Sequence, residues 1–224
     1  VRLLAIDTSL GACSAALLDT DADDVVNCDS MDMERGHAEA LVPMVRRVVG
    51  GRDGLATLDR IAVTTGPGSF TGIRVGLSAA RGLALATGLP LIGITTLAAL
   101  AAPALALDDG RAVAAAVDAR HGRVFFQIFS PNGRGLVPAR LLTAKDAARA
   151  AGSSPMLLVG SGAPLVAAAS TDVVHEVDPG SLAPDAVWVA RLGAVSAIPD
   201  RPPRPVYLRA ADAKPQTGGR VARV

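Results

Sequence analysis

The sequence predicts a two-lobed α/β protein in which each lobe holds a mixed sheet flanked by helices. Three observations lead there. Short apolar runs alternate with segments whose apolar residues recur at helical spacing. Residues 1–104 read β-β-β-α-β-α-β-α, and a similar order restarts after a Pro- and Gly-containing boundary at 103–110. Gly-rich or Pro-rich breaks separate the elements.

The elements follow in order. Leu3–Asp7 and Cys13–Leu18 flank Gly11 and read as a hairpin. Val25 and Val26, among Asp21, Asp23, Asp24 and Asn27, mark a weaker third strand. A helix runs from Gly36 to Val49 with the stripe Leu41, Met44, Val45 and Val48, and Gly50-Gly51 stops it. Arg60–Thr65 is a strand that enters Gly66-Pro67-Gly68-Ser69-Phe70-Thr71-Gly72. A long helix follows, from Thr71 to Thr87, with Gly88 ending it. Leu91–Ile94 is a short buried strand, and Thr95 or Thr96 caps a helix ending near Pro103. The second lobe has strands at Ala112–Val117, Val124–Phe129 and Leu136–Leu142, then a helix at Ala144–Ala151 capped by Thr143. Met156–Val159, a helix at Ala163–Ala169, a weak strand at Val173–Val177 and a helix at Asp185–Val195 complete it. The division predicted is a first lobe over 1–104, a second over 105–209, and a basic tail over 210–224.

Composition removes several function classes. The 224 residues carry 22 basic and 21 acidic side chains, and 50% are hydrophobic, so extensive disorder is not expected. Net charge of +1 gives no general attraction to nucleic acid or anionic membrane, and 3% aromatics leave no base-stacking platform. The charge is divided: residues 201–224 hold six basic groups and one acid, a basic segment on a chain whose remainder is acidic. Two cysteines, Cys13 and Cys28, do not make a disulfide scaffold and fit a reducing cytoplasm. The N-terminal apolar run is too short for a signal peptide core. Residues 82–107 lack charge, but Pro90 and Pro103 and the intervening glycines make a membrane span a poor reading.

Two segments suggest chemistry. Asp7-Thr8-Ser9 ends the first strand, where a carboxylate and hydroxyls can hold a Mg²⁺-phosphate or simply form a polar turn. Gly66, Gly68 and Ser69 open the long helix, where free N–H groups suit an anion, or where glycines serve close packing. No Gly-Lys-Ser/Thr ends that loop, so it is not a P-loop. The long helix repeats small residues at Gly72, Gly76, Ala80 and Ala84, with Arg74, Ser78 and Arg81 in an arc of about 60°. Its remaining apolar surface needs cover, either inside the chain or from another protein. His37, His121 and His175 show no metal-binding spacing, so no metal site is expected.

Ala5–Ser9, Arg35-Gly36-His37-Ala38-Glu39-Ala40-Leu41-Val42-Pro43-Met44 and the block from Gly66 to Gly76, in that order, resemble the TsaB (YeaZ) family. Asp118–Phe125 is similar to that family's second-lobe hairpin, and Arg204-Pro205-Val206-Tyr207-Leu208-Arg209 to its Pro-x-Tyr-x-Arg signature. The resemblance implies an actin-like fold of the sugar-kinase/Hsp70 superfamily. It also implies a role in threonylcarbamoyl-adenosine formation at tRNA position 37, as a cytoplasmic, non-catalytic partner of the catalytic paralogue TsaD, joined by the ATPase TsaE. The family contact uses the first two lobe-one helices, here 36–49 and 71–87. The residues expected at that contact are His37, Leu41, Met44, Val45, Val48, Gly72, Ile73, Val75, Gly76, Ala80 and Leu83. TsaD's His-x-x-x-His metal pair is reduced here to His37, with Leu41 in the second place. That departure implies no transfer chemistry and no proteolysis. A cofactor is not required; ATP/ADP-Mg at the shared interface, a homodimer of the isolated chain and indirect tRNA contact are further implications, with no membrane role. The competing reading is an autonomous actin-fold kinase or ATPase built on Asp7.

Overall fold

The computed structural model describes residues 1–22, 24–180 and 182–209. The expected basic tail, 210–224, lies outside the described residues.

The first sheet holds β1 (Arg2–Asp7), β2 (Ala12–Asp19), β3 (Asp24–Asp32), β4 (Arg60–Thr64) and β5 (Leu91–Ile94), in the order β3-β2-β1-β4-β5. β1 pairs antiparallel with β2 and parallel with β4. The second sheet holds β6 (Val113–Asp118), β7 (Arg123–Phe129), β8 (Gly135–Thr143), β9 (Leu157–Val159) and β10 (Glu176–Val177). Its order, β8-β7-β6-β9-β10, repeats that of the first strand for strand. This duplicated mixed sheet, one to each lobe, is the two-lobed α/β architecture that the sequence predicts.

Seven helices among the described residues cover the sheets. They are α1 (His37–Val49), α2 (Arg52–Leu55), α3 (Phe70–Thr87), α4 (Thr96–Leu105), α5 (Ala144–Ala151), α6 (Ala163–Ala169) and α7 (Ala186–Val195). Leu4, Ile6, Ile61 and Val63 of the first sheet pack on the stripes of α1 and α3. Leu3, Ala5 and Ala62, on the opposite face, pack on Val189 and Ala190 of α7. β1 is therefore covered on both sides, which explains its unbroken apolar run. Each fully buried leucine or isoleucine here contributes roughly 1.5–3 kcal/mol. In the second lobe, Leu97, Leu100 and Ala101 of α4 cover one face, while α5 and α6 enclose Phe126 and Leu158 on the other.

The lobes exchange their closing helices. α4 follows the first sheet in sequence but lies on the second, and α7 follows the second but lies on the first. The division expected at 104/105 is thus one of sequence order and not of packing. Small residues permit the exchange: a Cβ added at Gly193 would stand 2.6 Å from the Ala62 Cβ.

Local differences have plain causes. Ser69, not a later residue, caps α3, its hydroxyl accepting from the Gly72 N–H. Thr95 caps α4, which continues through Pro103 to Leu105. β3 is longer than expected because it is an edge strand with little apolar patterning; Val26 and Met31 are each 48% exposed. The weak strand at Val173–Val177 shrinks to Glu176–Val177. No helix among the described residues is long and apolar enough to cross a membrane.

His175 is buried and neither ring nitrogen has a hydrogen-bond partner. Burial pushes its pKa below the ordinary imidazole value of 6.5. The neutral ring is the form the fold accepts, so stability is intact above the unfolded-state pKa and declines as pH falls through 6.5 toward the folded value. Urea titrations of His175→Leu between about pH 7.5 and 5.5 should show a flatter pH dependence than the parent; equal slopes would remove this assignment.

Candidate functional site

The Asp7-Thr8-Ser9 turn and the Gly66–Gly72 loop do meet, but they meet face to face. Asp7, Thr8 and Ser9 are 0%, 1% and 0% exposed. Asp7 Oδ1 accepts from the Ser9 N–H at 3.1 Å, the Ser9 hydroxyl at 2.7 Å and the Thr64 hydroxyl at 2.5 Å. Its Oδ2 is buried without a partner. Burial, opposed by these hydrogen bonds, raises the Asp7 pKa above the ordinary carboxylate value.

The Thr8 hydroxyl donates to the Gly72 carbonyl at 2.7 Å, and the Ser69 N–H donates to the Ser9 carbonyl at 2.8 Å. A Cβ at Gly68 would lie 2.2 Å from that same Ser9 oxygen. Gly66 is buried with a positive φ of 102°, and its carbonyl accepts from the Thr96 N–H. The loop thus packs onto the turn, and the Ser69 N–H at the start of α3 is spent on the Ser9 carbonyl. These residues do not fit a bound nucleotide phosphate in this arrangement. Among the described residues, no group of three or more His, Cys, Asp or Glu could hold a metal ion.

The two helices expected to face a partner form as predicted, but most of the side chains expected at the contact lie inside this chain. Leu41, Met44, Val45 and Val48 of α1, and Ile73 and Ala80 of α3, are buried in the chain's own core. Gly72 and Gly76 are buried against β1's turn: a Cβ there would stand 2.0 Å from the Thr8 carbonyl oxygen and 2.5 Å from the Thr8 hydroxyl oxygen. At Gly72 and Gly76 the small stripe serves close packing inside the lobe. His37, which opens α1, is also buried, with Nε2 unpartnered. Val75 and Leu83 are only half-buried and remain near the surface.

The open surface lies one helix face further round. α1 and α3 flank a groove of about 480 Å³ lined by Ala38, Leu41, Val42, Phe70, Arg74 and Val75, with Thr71, Ser78 and Ala79. Val42 is 65% exposed and Phe70 47%. Val42 stands off the buried stripe of α1, so an apolar residue on the solvent side was the available signal. Of the polar arc on α3, Arg74 and Ser78 line the groove.

The segment 201–209 crosses this lobe as a strap. The Val206 N–H donates to the Thr65 carbonyl, and Arg81 donates to the Pro203 carbonyl. Tyr207 stacks on Phe70 with ring centroids 5.4 Å apart, and its hydroxyl accepts from Arg74 Nε at 3.1 Å.

A family model described as TsaD: tRNA N6-adenosine threonylcarbamoyltransferase matches residues 31–140, which include α1, the Gly-rich loop and α3. The TsaB protein of Escherichia coli K12, a tRNA threonylcarbamoyladenosine biosynthesis protein, is 38% identical over 137 residues. A crystal structure of an uncharacterised protein similar to peptidase YeaZ, from Pseudomonas aeruginosa, superposes with a TM-score of 0.77 at 31% identity, covering 93% of this chain and 99% of the other. YeaZ from the same organism gives 0.74 at 32% identity, covering 86% and 90%. The chain belongs to the TsaB/YeaZ family. The alignment with E. coli TsaB covers 61% of this chain and 58% of that protein. Against the Haemophilus influenzae TsaB, 42% identical, the covered shares are 56% and 52%. The chain thus spans little more than half the length of these two TsaB relatives.

Proposed function

We propose that this chain is a non-catalytic subunit in the formation of N6-threonylcarbamoyladenosine at position 37 of tRNA, docking to the catalytic paralogue TsaD. The observation that carries the reading is an open apolar groove between α1 and α3 beside a closed Asp7–Ser9 turn. An exposed valine and phenylalanine around such a groove suit a helix from another protein. In this reading the TsaB-family chain acts in the cytoplasm and needs no cofactor of its own. TsaE joins the pair, any ATP/ADP-Mg is held at the shared interface, and tRNA is met through the assembled complex. The isolated chain pairs with itself through the same groove.

An autonomous kinase or ATPase would need a carboxylate that reaches its substrate, and Asp7 is 0% exposed. Calorimetry showing ATP-Mg turnover by the isolated chain would reverse this ranking. Co-expression with TsaD, followed by a tRNA-modification assay with and without this chain, tests the proposal directly. Val42→Arg places a cation in the groove from a position that is 65% exposed. It should lower co-purification with TsaD about tenfold or more while leaving the Tm unchanged. Undiminished pairing would exclude the groove.

A further inference from the structure

The Pro-x-Tyr-x-Arg strap has no part in the function proposed so far, yet it ends against the groove. Three side chains meet there. The Arg74 guanidinium lies 3.6 Å above the centre of the Phe70 ring, one helical turn before it on α3. Tyr207 closes the other side: its ring stands 6.0 Å from the guanidinium carbon and its hydroxyl accepts from Arg74 Nε. Tyr207 is itself anchored, because the adjoining Val206 N–H bonds Thr65, and Arg209 reaches the Ala119 carbonyl of the second lobe.

Stacking engages the flat face of a guanidinium and leaves its in-plane donors free. Nε is taken by Tyr207, while the two terminal nitrogens have no hydrogen-bond or ion-pair partner among the described residues. α3 carries no acidic residue along its length. Arg74 is exposed, so water satisfies these donors in the free chain. A partner seated on the groove would remove that water from a fixed positive charge. Burying such a charge is strongly unfavourable unless an opposite charge meets it.

We infer that Arg74, held by Phe70 and Tyr207, is the anchor of the docking face. It recognises a carboxylate on the partner, carried on a helix whose neighbouring apolar side chain fills the groove beside Val42 and Val75. The fork of two terminal nitrogens suits a bidentate carboxylate. Tyr207 is a positioning residue that fixes the direction of that fork. This inference rests on the docking proposed above and adds the chemistry of the partner's surface.

The test is the dissociation constant for purified TsaD of the same organism, measured with the full chain and with substitutions at Arg74 and Tyr207. Pairing predicts a graded loss: Arg74→Lys weakens binding several-fold, Arg74→Met about tenfold or more, and Arg74→Glu further still. Tyr207→Phe keeps the ring and removes the acceptor; it should weaken binding a few-fold with an unchanged Tm. If Arg74 only packed, Met would bind like the parent and Lys no better than Met, and either result overturns the inference. Binding changed only in self-association, with TsaD affinity unaltered, overturns it equally. Absence of any complex between the parent chain and TsaD would overturn the docking proposal itself, and this inference with it.

Discussion

Replacing Gly72 with valine should lower the unfolding free energy of the isolated chain by about 3 kcal/mol or more, and Gly76→Leu should do at least as much. At Gly72 the first added carbon would stand 2.0 Å from the Thr8 carbonyl oxygen, which is backbone and fixed by the β1 turn. That carbonyl has no room to retreat, because Ser9 beside it is bonded to both Asp7 and Ser69. At Gly76 the clash is with the Thr8 hydroxyl at 2.5 Å, whose own hydrogen bond to the Gly72 carbonyl would be broken. α3 would have to lift away from β1 and β4, uncovering Ile73 and Leu77. Gly82 is the internal control. It sits on the same helix with nothing within 4 Å of an added Cβ, so Gly82→Ala should gain roughly 0.5–1 kcal/mol from helix propensity. Urea unfolding of the three variants measures the contrast. A mild Gly72→Val would mean that α3 does not rest on the Thr8 turn.

That contrast also shows what the sequence could and could not say. The spacing of Gly72, Gly76 and Ala80 announces close approach, but periodicity does not name the neighbour. The stripe is equally suited to another chain and to the Thr8 turn, and here the turn occupies it. Leu41, Met44, Val45 and Val48 were legible as one helix face, and they do form one, against the chain's own sheet. The docking candidates emerge only once the inner face is spoken for: Val42, Phe70 and Arg74 remain outside it. The mixed-sheet lobes were readable because each buried strand is a continuous apolar run between turn residues. The exchange of α4 and α7 was not, since both helices are apolar enough to lie on either sheet. The strap's contacts were beyond reach for another reason: Tyr207 and Arg74 are separated by 133 residues, and no local pattern joins them.

Asp7→Ala should destabilise the chain by about 3 kcal/mol or more, whereas Asp7→Asn should be far milder and should improve relative to the parent as pH rises. Alanine removes one oxygen that accepts from the Ser9 N–H, the Ser9 hydroxyl and the Thr64 hydroxyl, and leaves all three donors buried without it. Asparagine keeps an acceptor oxygen in that place. It also replaces the unpartnered, buried Oδ2 with a neutral group. The pH sign follows from the raised pKa of Asp7, which burial causes. The folded state holds the proton more tightly than the unfolded chain does. Below the unfolded-state pKa of about 3.9 the carboxyl is neutral in both states and costs nothing extra. As pH climbs from there through the folded value, ionisation draws the chain toward unfolding, and the penalty levels off above it. Asp7→Asn is free of that penalty, so its stability relative to the parent should rise across the same window and then stay constant. The measurement is unfolding free energy of both proteins at pH steps from about 4 to 8. A difference independent of pH would show that Asp7 titrates alike in the folded and unfolded chain. A difference falling with pH would show that the carboxylate is stabilised where it lies, as a residue facing a cation would be.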